Sequence, residues 1–173
     1  VLQDLKSARE AIALDELLDD QTRANQLAVI DVIEVYSYQV LVDLNGDVPY
    51  SEALNVSENI NPAYDDAATI YEDLIRRISE DANTLAQGGS SFGSADIYYG
   101  GDVAKWAKFA NSLKLRLGMR IADVNPALAE TTVSEAYEAG VMESSDDSAI
   151  IYYEESSPNN NPLHNLFVLA NRG

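Results

Sequence analysis

The stretch that decides the fold is Asp96-Ile-Tyr-Tyr-Gly-Gly-Asp-Val-Ala-Lys-Trp-Ala-Lys-Phe-Ala-Asn-Ser-Leu-Lys-Leu-Arg-Leu-Gly-Met-Arg120. A Tyr/Gly turn runs into Asp102, a good N-cap, and then into a helical pattern. Val103, Trp106, Ala110, Leu113, Leu117 and Ile121 form one apolar stripe at helical spacing. Phe109, Leu115 and Met119 lie off that stripe, so the helix is expected to pack on two sides. It also carries five basic residues, Lys105, Lys108, Lys114, Arg116 and Arg120.

That charge is out of step with the rest of the chain. The 173 residues hold 29 acids and 11 bases, a formal net charge of −18. Residues 1–101 have 19 acids against 5 bases, residues 102–123 have 2 against 5, and residues 124–173 have 8 against 1. The basic island is therefore expected inside the fold, neutralised by acidic neighbours, with a patch for an anionic ligand as the other reading. So acidic a surface disfavours nucleic acid and anionic lipid as partners.

Helical patterns continue on both sides. Residues 1–18 read as an amphipathic helix with Leu2, Leu5, Ala8, Ile12 and Ala13 on one side. Residues 22–44, with Thr22 as N-cap, are apolar nearly all round and read as the most buried helix. Asn45-Gly46 ends it, and Val48-Pro49-Tyr50 turns the chain outward. Residues 51–65 read as mostly loop. A regular helix follows from Ala67 to Leu85, with i,i+4 pairs Glu72–Arg76, Asp73–Arg77, Arg76–Glu80 and Arg77–Asp81 placed on its outer face. Residues 87–94 form a flexible connection. Asn125-Pro126 begins a short helix, and Thr132-Val-Ser-Glu135 has the capping-box form for another that stops before Gly140. Residues 149–153 read as a brief strand and residues 154–164 as loop. The fold class is all-α: tetratricopeptide-like helical hairpins around a buried central helix, with long loops and at most one short strand. No strict 34-residue period is present. Residues 1–173 read as a single helical domain.

Few residue sets point to catalysis. The absence of cysteine removes disulfides, thiolate metal sites and a Cys nucleophile. Asp43, Asn45 and Asp47 have the 1,3,5 spacing of a calcium loop, but Val48 and Leu54 occupy positions that require Gly and Glu. No metal and no cofactor are expected. Adjacent acids (Asp19/Asp20, Asp65/Asp66, Asp146/Asp147, Glu154/Glu155) read as solvated loop residues rather than a hydrolytic pair. The lone histidine, His164, has no evident serine elbow for a triad.

The aromatic content is more informative. Ten tyrosines stand against three phenylalanines. Sugar faces stack on rings while their hydroxyls bond to polar side chains, and Tyr98, Tyr99, Tyr152 and Tyr153 with Asn159, Asn160 and Asn161 fit that chemistry. Tyr36, Tyr71 and Tyr137 read as core residues with one tethered hydroxyl.

Four places together resemble the SusD/RagB family of outer-membrane nutrient-binding lipoproteins. They are Asp43-Leu-Asn-Gly-Asp-Val-Pro-Tyr-Ser-Glu-Ala-Leu54; Pro62-Ala-Tyr-Asp65 entering Ile70-Tyr71; Gly101-Asp-Val-Ala-Lys-Trp106 entering Asn111-Ser-Leu-Lys-Leu-Arg116; and Ala139-Gly140 followed by Ser144 to Tyr153. The match is closest to the SusD-like branch. Its motif residues Gly46, Asp47, Pro49, Tyr50, Trp106, Asn111 and Arg116 imply architecture rather than a sugar site.

The resemblance implies a helical, tetratricopeptide-containing, non-enzymatic lipoprotein on the outer face of the outer membrane. It would capture an oligosaccharide, a polysaccharide or another nutrient and pass it to a SusC-like TonB-dependent transporter. The lipidated Cys and signal peptide of that family are not in these residues, and its members are longer. The chain therefore reads as the helical scaffold part of a longer protein. A helical protein-interaction module without sugar binding is the alternative function.

Overall fold

In the computed structural model, which describes residues 1–55, 59–155, 160–164 and 166, the chain is helical with one minimal sheet. Helix α1 spans Leu2–Leu14, α2 Asp20–Asn45, α3 Ala67–Leu85, α4 Val103–Arg120 and α5 Pro126–Ala139, with a short α6 at Pro162–His164. Single 3-10 turns occupy Gly93–Ala95 and Ser145–Asp147. Strands β1, Val48–Pro49, and β2, Tyr64–Asp65, pair antiparallel, with Val48 opposite Asp65 and Pro49 opposite Tyr64. The helices pack as hairpins, α2 on α3, α3 on α4 and α4 on α5, while α1 lies against α2.

Local chemistry sets these limits. Asp19, not Thr22, caps α2: its carboxylate accepts from Thr22 N at 2.9 Å and from the Thr22 hydroxyl at 2.7 Å. Asp66 caps α3 through Thr69 N, and Asp102 caps α4 through Ala104 N and Lys105 N. Gly46 ends α2 at φ 74°, a conformation in which a Cβ would be strained, and its N–H reaches Val42 O. Pro126 sits in the first turn of α5 behind the Asn125 cap.

Several elements differ from expectation. Helix α1 stops at Leu14 and buries no side chain fully. The expected brief strand at 149–153 has no ladder partner among the described residues; the paired strands are β1 and β2, one of which had read as loop. Their pairing is closed by side chains, since Asp65 accepts from Tyr50 N, Ser51 N and the Ser51 hydroxyl. The two short helices expected after Asn125 are one continuous helix. Thr132 is buried in its middle, where the capping-box pattern yields to packing against Gly118 of α4. A Cβ on Gly118 would lie 2.9 Å from Val133 Cγ2, so the missing side chain sets how closely α4 and α5 approach.

The core runs through Val32 and Val35 of α2, Ile70, Leu74 and Ile78 of α3, and Trp106, Ala110, Leu113 and Leu117 of α4. The α4 stripe read from the sequence is buried throughout. Helix α2 has the most buried residues, 13, yet six of them are the polar Thr22, Asn25, Gln26, Asp31, Glu34 and Gln39. Tyr36, Val40, Leu41 and Leu44 on its other side remain exposed. Most of the basic island is neutralised as expected, Arg116 being the exception. Lys108 pairs with Asp147, Lys114 with Glu135 and Arg120 with Asp43, and Lys105 donates to Asp146 O.

Candidate functional site

The aromatic cluster is built on Asp96. Its carboxylate accepts from Trp106 Nε1 at 2.7 Å and from the backbone N–H groups of Tyr98, Tyr99 and Gly101. Burial raises the Asp96 pKa, but these donors outweigh it and hold the carboxyl below its usual range. Gly101, at φ 87°, lets the turn close: a Cβ there would meet Gly93 Cα at 2.6 Å. Trp106 is 2% exposed and is met edge-on by Tyr98 at 5.9 Å, Tyr99 at 5.2 Å and Phe109 at 5.7 Å. The Tyr99 hydroxyl donates to Asp147 O at 2.8 Å, and burial, then the charges of Asp147 and Asp96, push its pKa up to about 12.

Beside this cluster lies a cleft of about 430 Å³ whose walls include Tyr36, Tyr98, Trp106, Phe109, Arg116 and Ser148. Tyr36 is not a core residue with a tethered hydroxyl, as its place in α2 had suggested. It is 42% exposed, packs on Phe109 at 6.5 Å and lies beneath the Arg116 guanidinium at 5.1 Å. Arg116 is the single charged residue among the lining.

The sequence-read sugar contacts fall in different places. Tyr98 and Tyr99 come together on Trp106, and Tyr98 lines the cleft. Tyr152 and Tyr153 are exposed, at 84% and 50%, and are not part of that lining. Asn160 forms a bridge with Glu154, which carries it to the Tyr153 end of the loop. The Asn161 side chain accepts from Leu163 N, a local bond in the first turn of α6. Asn159 lies outside the described residues.

The motif residues have structural partners. Asp47 accepts from Ala67 N at the start of α3, so the would-be calcium position serves as a second helix cap. Asp43 accepts from the Tyr71 hydroxyl and pairs with Arg120. Among the described residues, no group of three acids or histidines is disposed to hold a metal. Asn111 Nδ2 donates to Gly140 O at 3.0 Å and ties α4 to the end of α5. Tyr50 receives a hydrogen bond from Arg77 Nη1, donates to Asp73 and meets the Tyr38 ring edge-on at 4.7 Å.

A charge cluster between α1, α2 and α3 was not foreseen. Arg77 does not lie on the outer face of α3. It turns inward, with Nε 3.0 Å from Asp31 Oδ2 and Nη2 2.8 Å from Glu34 Oε2, while Arg9 of α1 reaches the same two carboxylates. Burial raises Asp31, but Arg77 and Arg9 more than offset this and its pKa stays low. Asp81 is the third carboxyl, buried, with Oδ2 lacking a partner among the described residues. Burial first, then the negative charge of Asp31, push it up to about 9, so it is protonated at neutral pH. The group borders a polar cavity of about 450 Å³. The sequence held one signal for it: Asp31 and Glu34 stand in a helix otherwise apolar nearly all round.

The chain as a whole has relatives among known proteins. It matches, over residues 1–172, the family model described as "Starch-binding associating with outer membrane". No curated protein matches. Among solved structures, a chitin-binding protein is 37% identical, with a TM-score of 0.75 over 87% of this chain and 31% of its own. A SusD homologue from Bacteroides uniformis is 31% identical, with a TM-score of 0.75 over 95% of this chain and 32% of its own. A chitin-binding SusD homologue from Flavobacterium johnsoniae is 30% identical, with a TM-score of 0.73 over 94% and 34%. The chain thus spans about a third of the length of these structures.

Proposed function

The chain belongs to the SusD-like family of outer-membrane-associated starch-binding proteins, and from that membership we propose that it serves the capture of a glycan at the cell surface. At the level of the family, carbohydrate binding is supported and the members are binding proteins rather than enzymes. The proposal for this chain is that it forms the helical scaffold third of a longer surface lipoprotein. That protein would hold an oligosaccharide or polysaccharide and hand it to a SusC-like TonB-dependent transporter. The observation that carries the reading is the family match along residues 1–172, joined to two chitin-binding relatives at 30% identity or above.

Of the four tyrosines read as sugar contacts, Tyr152 and Tyr153 are the exposed ones, with Asn160 beside them; Asn159 and Asn161 are proposed as further contacts. Tyr98 and Tyr99 hold their edges to Trp106 and shape the wall behind.

Calorimetric titration of the full-length protein against chitin oligosaccharides, starch and other soluble polysaccharides tests the reading. Heat is expected with at least one glycan, with little dependence on salt. Tyr152→Ala is expected to weaken it up to about tenfold, the scale of one lost aromatic contact. Silence across the panel would instead favour the protein-interaction module. Undiminished heat in both Tyr152→Ala and Tyr153→Ala would place the sugar contact in other residues.

A further inference from the structure

Ile33, Tyr36, Val40 and Leu44 recur at three- and four-residue steps and so share one side of α2. That side is apolar yet open, with Tyr36, Val40 and Leu44 all exposed, Leu44 to 77%. It adjoins Phe109 and Arg116 of α4 across the cleft. Apolar surface left in water costs about 25 cal/mol per Å², so a continuous helix face of this kind is normally covered.

The charge pattern says what kind of group covers it. Each other basic side chain among the described residues has an acidic or carbonyl partner. Arg116 alone among them has none; it rests on the Tyr36 ring in a cleft whose lining contains no carboxylate. In a chain of net charge −18, one cation left unpaired above an apolar stripe is complementary to an apolar segment carrying a carboxylate.

We propose that the α2/α4 face formed by Tyr36, Val40, Leu44, Phe109 and Arg116 is a docking surface for a further segment of the same longer polypeptide. Its apolar side chains cover the α2 stripe and its Asp or Glu pairs with Arg116. The proposal rests on reading the chain as the scaffold third. Relatives keep 87% and 95% of this chain within structures of which it is 31% and 32%, so in them a scaffold of this shape is part of a chain about three times as long. A second copy is a poorer occupant, because two surfaces of −18 repel. A covalently attached segment is present at high effective concentration and needs only local complementarity.

The test uses thiol reactivity in the full-length protein, in a cysteine-free background. Val40→Cys, on the proposed face, is compared with Glu16→Cys, an exposed position before α2. Maleimide labelling of Val40→Cys is expected to be at least tenfold slower. Adding Arg116→Glu should bring its rate toward that of the control, whereas Arg116→Lys should not. Equal rates for the two cysteines would overturn the proposal. So would slowing that disappears on dilution, which identifies a second copy, or slowing that appears only with added chitin oligosaccharide, which identifies a ligand cleft. Failure here would leave the glycan reading standing, since that is measured by heats and by Tyr152 and Tyr153.

Discussion

Asp81 shows how one side chain can set a pH response. In the unfolded chain its carboxyl titrates near 3.8, and in the fold at about 9. Between those values the native state holds a proton that the unfolded state has released. Its contribution to stability is therefore complete below about pH 4 and declines as pH rises toward 9. Asp81→Asn, which keeps the shape and cannot ionise, is expected to flatten that decline: relative to wild type it should gain melting temperature at pH 8.5 over pH 5. An unchanged difference between the two pH values would show that Asp81 is ionised in the fold. Trp106 belongs to the same scale. Its ring is fully enclosed, so Trp106→Ala should cost about 3–5 kcal/mol in denaturant unfolding. Trp106 was legible because Val103, Phe109 and Ala110, at three- and four-residue steps from it, are apolar. Asp81 and Arg77 were not, because i,i+4 partners on their own helix offered a sufficient local account. Only the approach of α2 reveals that Arg77 has better partners.

At the scale of elements, α3 and α4 could be read almost to their ends, since each combines an Asp cap with an unbroken apolar stripe. The misread parts were those where a short local signal competed with packing. Thr132 begins a capping-box pattern, but α5 continues through it because Gly118 offers a groove. The strand at β2 depends on its pairing with β1 and on the Asp65 carboxylate, neither of which has a period to detect. The Arg9–Asp31–Glu34–Arg77 cluster also works at this scale, because it joins three helices. Arg77→Met should destabilise by about 3–5 kcal/mol, the usual consequence of removing one partner from a buried ion pair, because the more exposed Arg9 is then the sole counter-charge for both carboxylates. Arg9→Met should act differently. Helix α1 buries no side chain fully, so hydrogen exchange should rise in α1 while global melting moves little. A large loss of melting temperature in Arg9→Met would show that α1 is part of the cooperative core.

Taken as a whole molecule, the chain separates what pattern can convey from what it cannot. Charge and hydropathy disclosed a helical fold and made nucleic acid a poor expected partner. They did not locate a sugar site, because a tyrosine on a loop has no periodicity to show whether its ring faces solvent. Tyr152 and Tyr153 proved to be exposed, whereas Tyr98 and Tyr99 are half-buried against Trp106, held there by the turn at Asp96 and Gly101. That turn has an optical consequence. The single tryptophan of these residues is sealed beneath two tyrosines and hydrogen-bonded to Asp96. Its emission is therefore a gauge of whether α4 is folded, shifting to the red when the ring meets water. Cargo held at Tyr152 would leave that signal dark to its arrival, and a dye or a heat measurement would have to announce it instead.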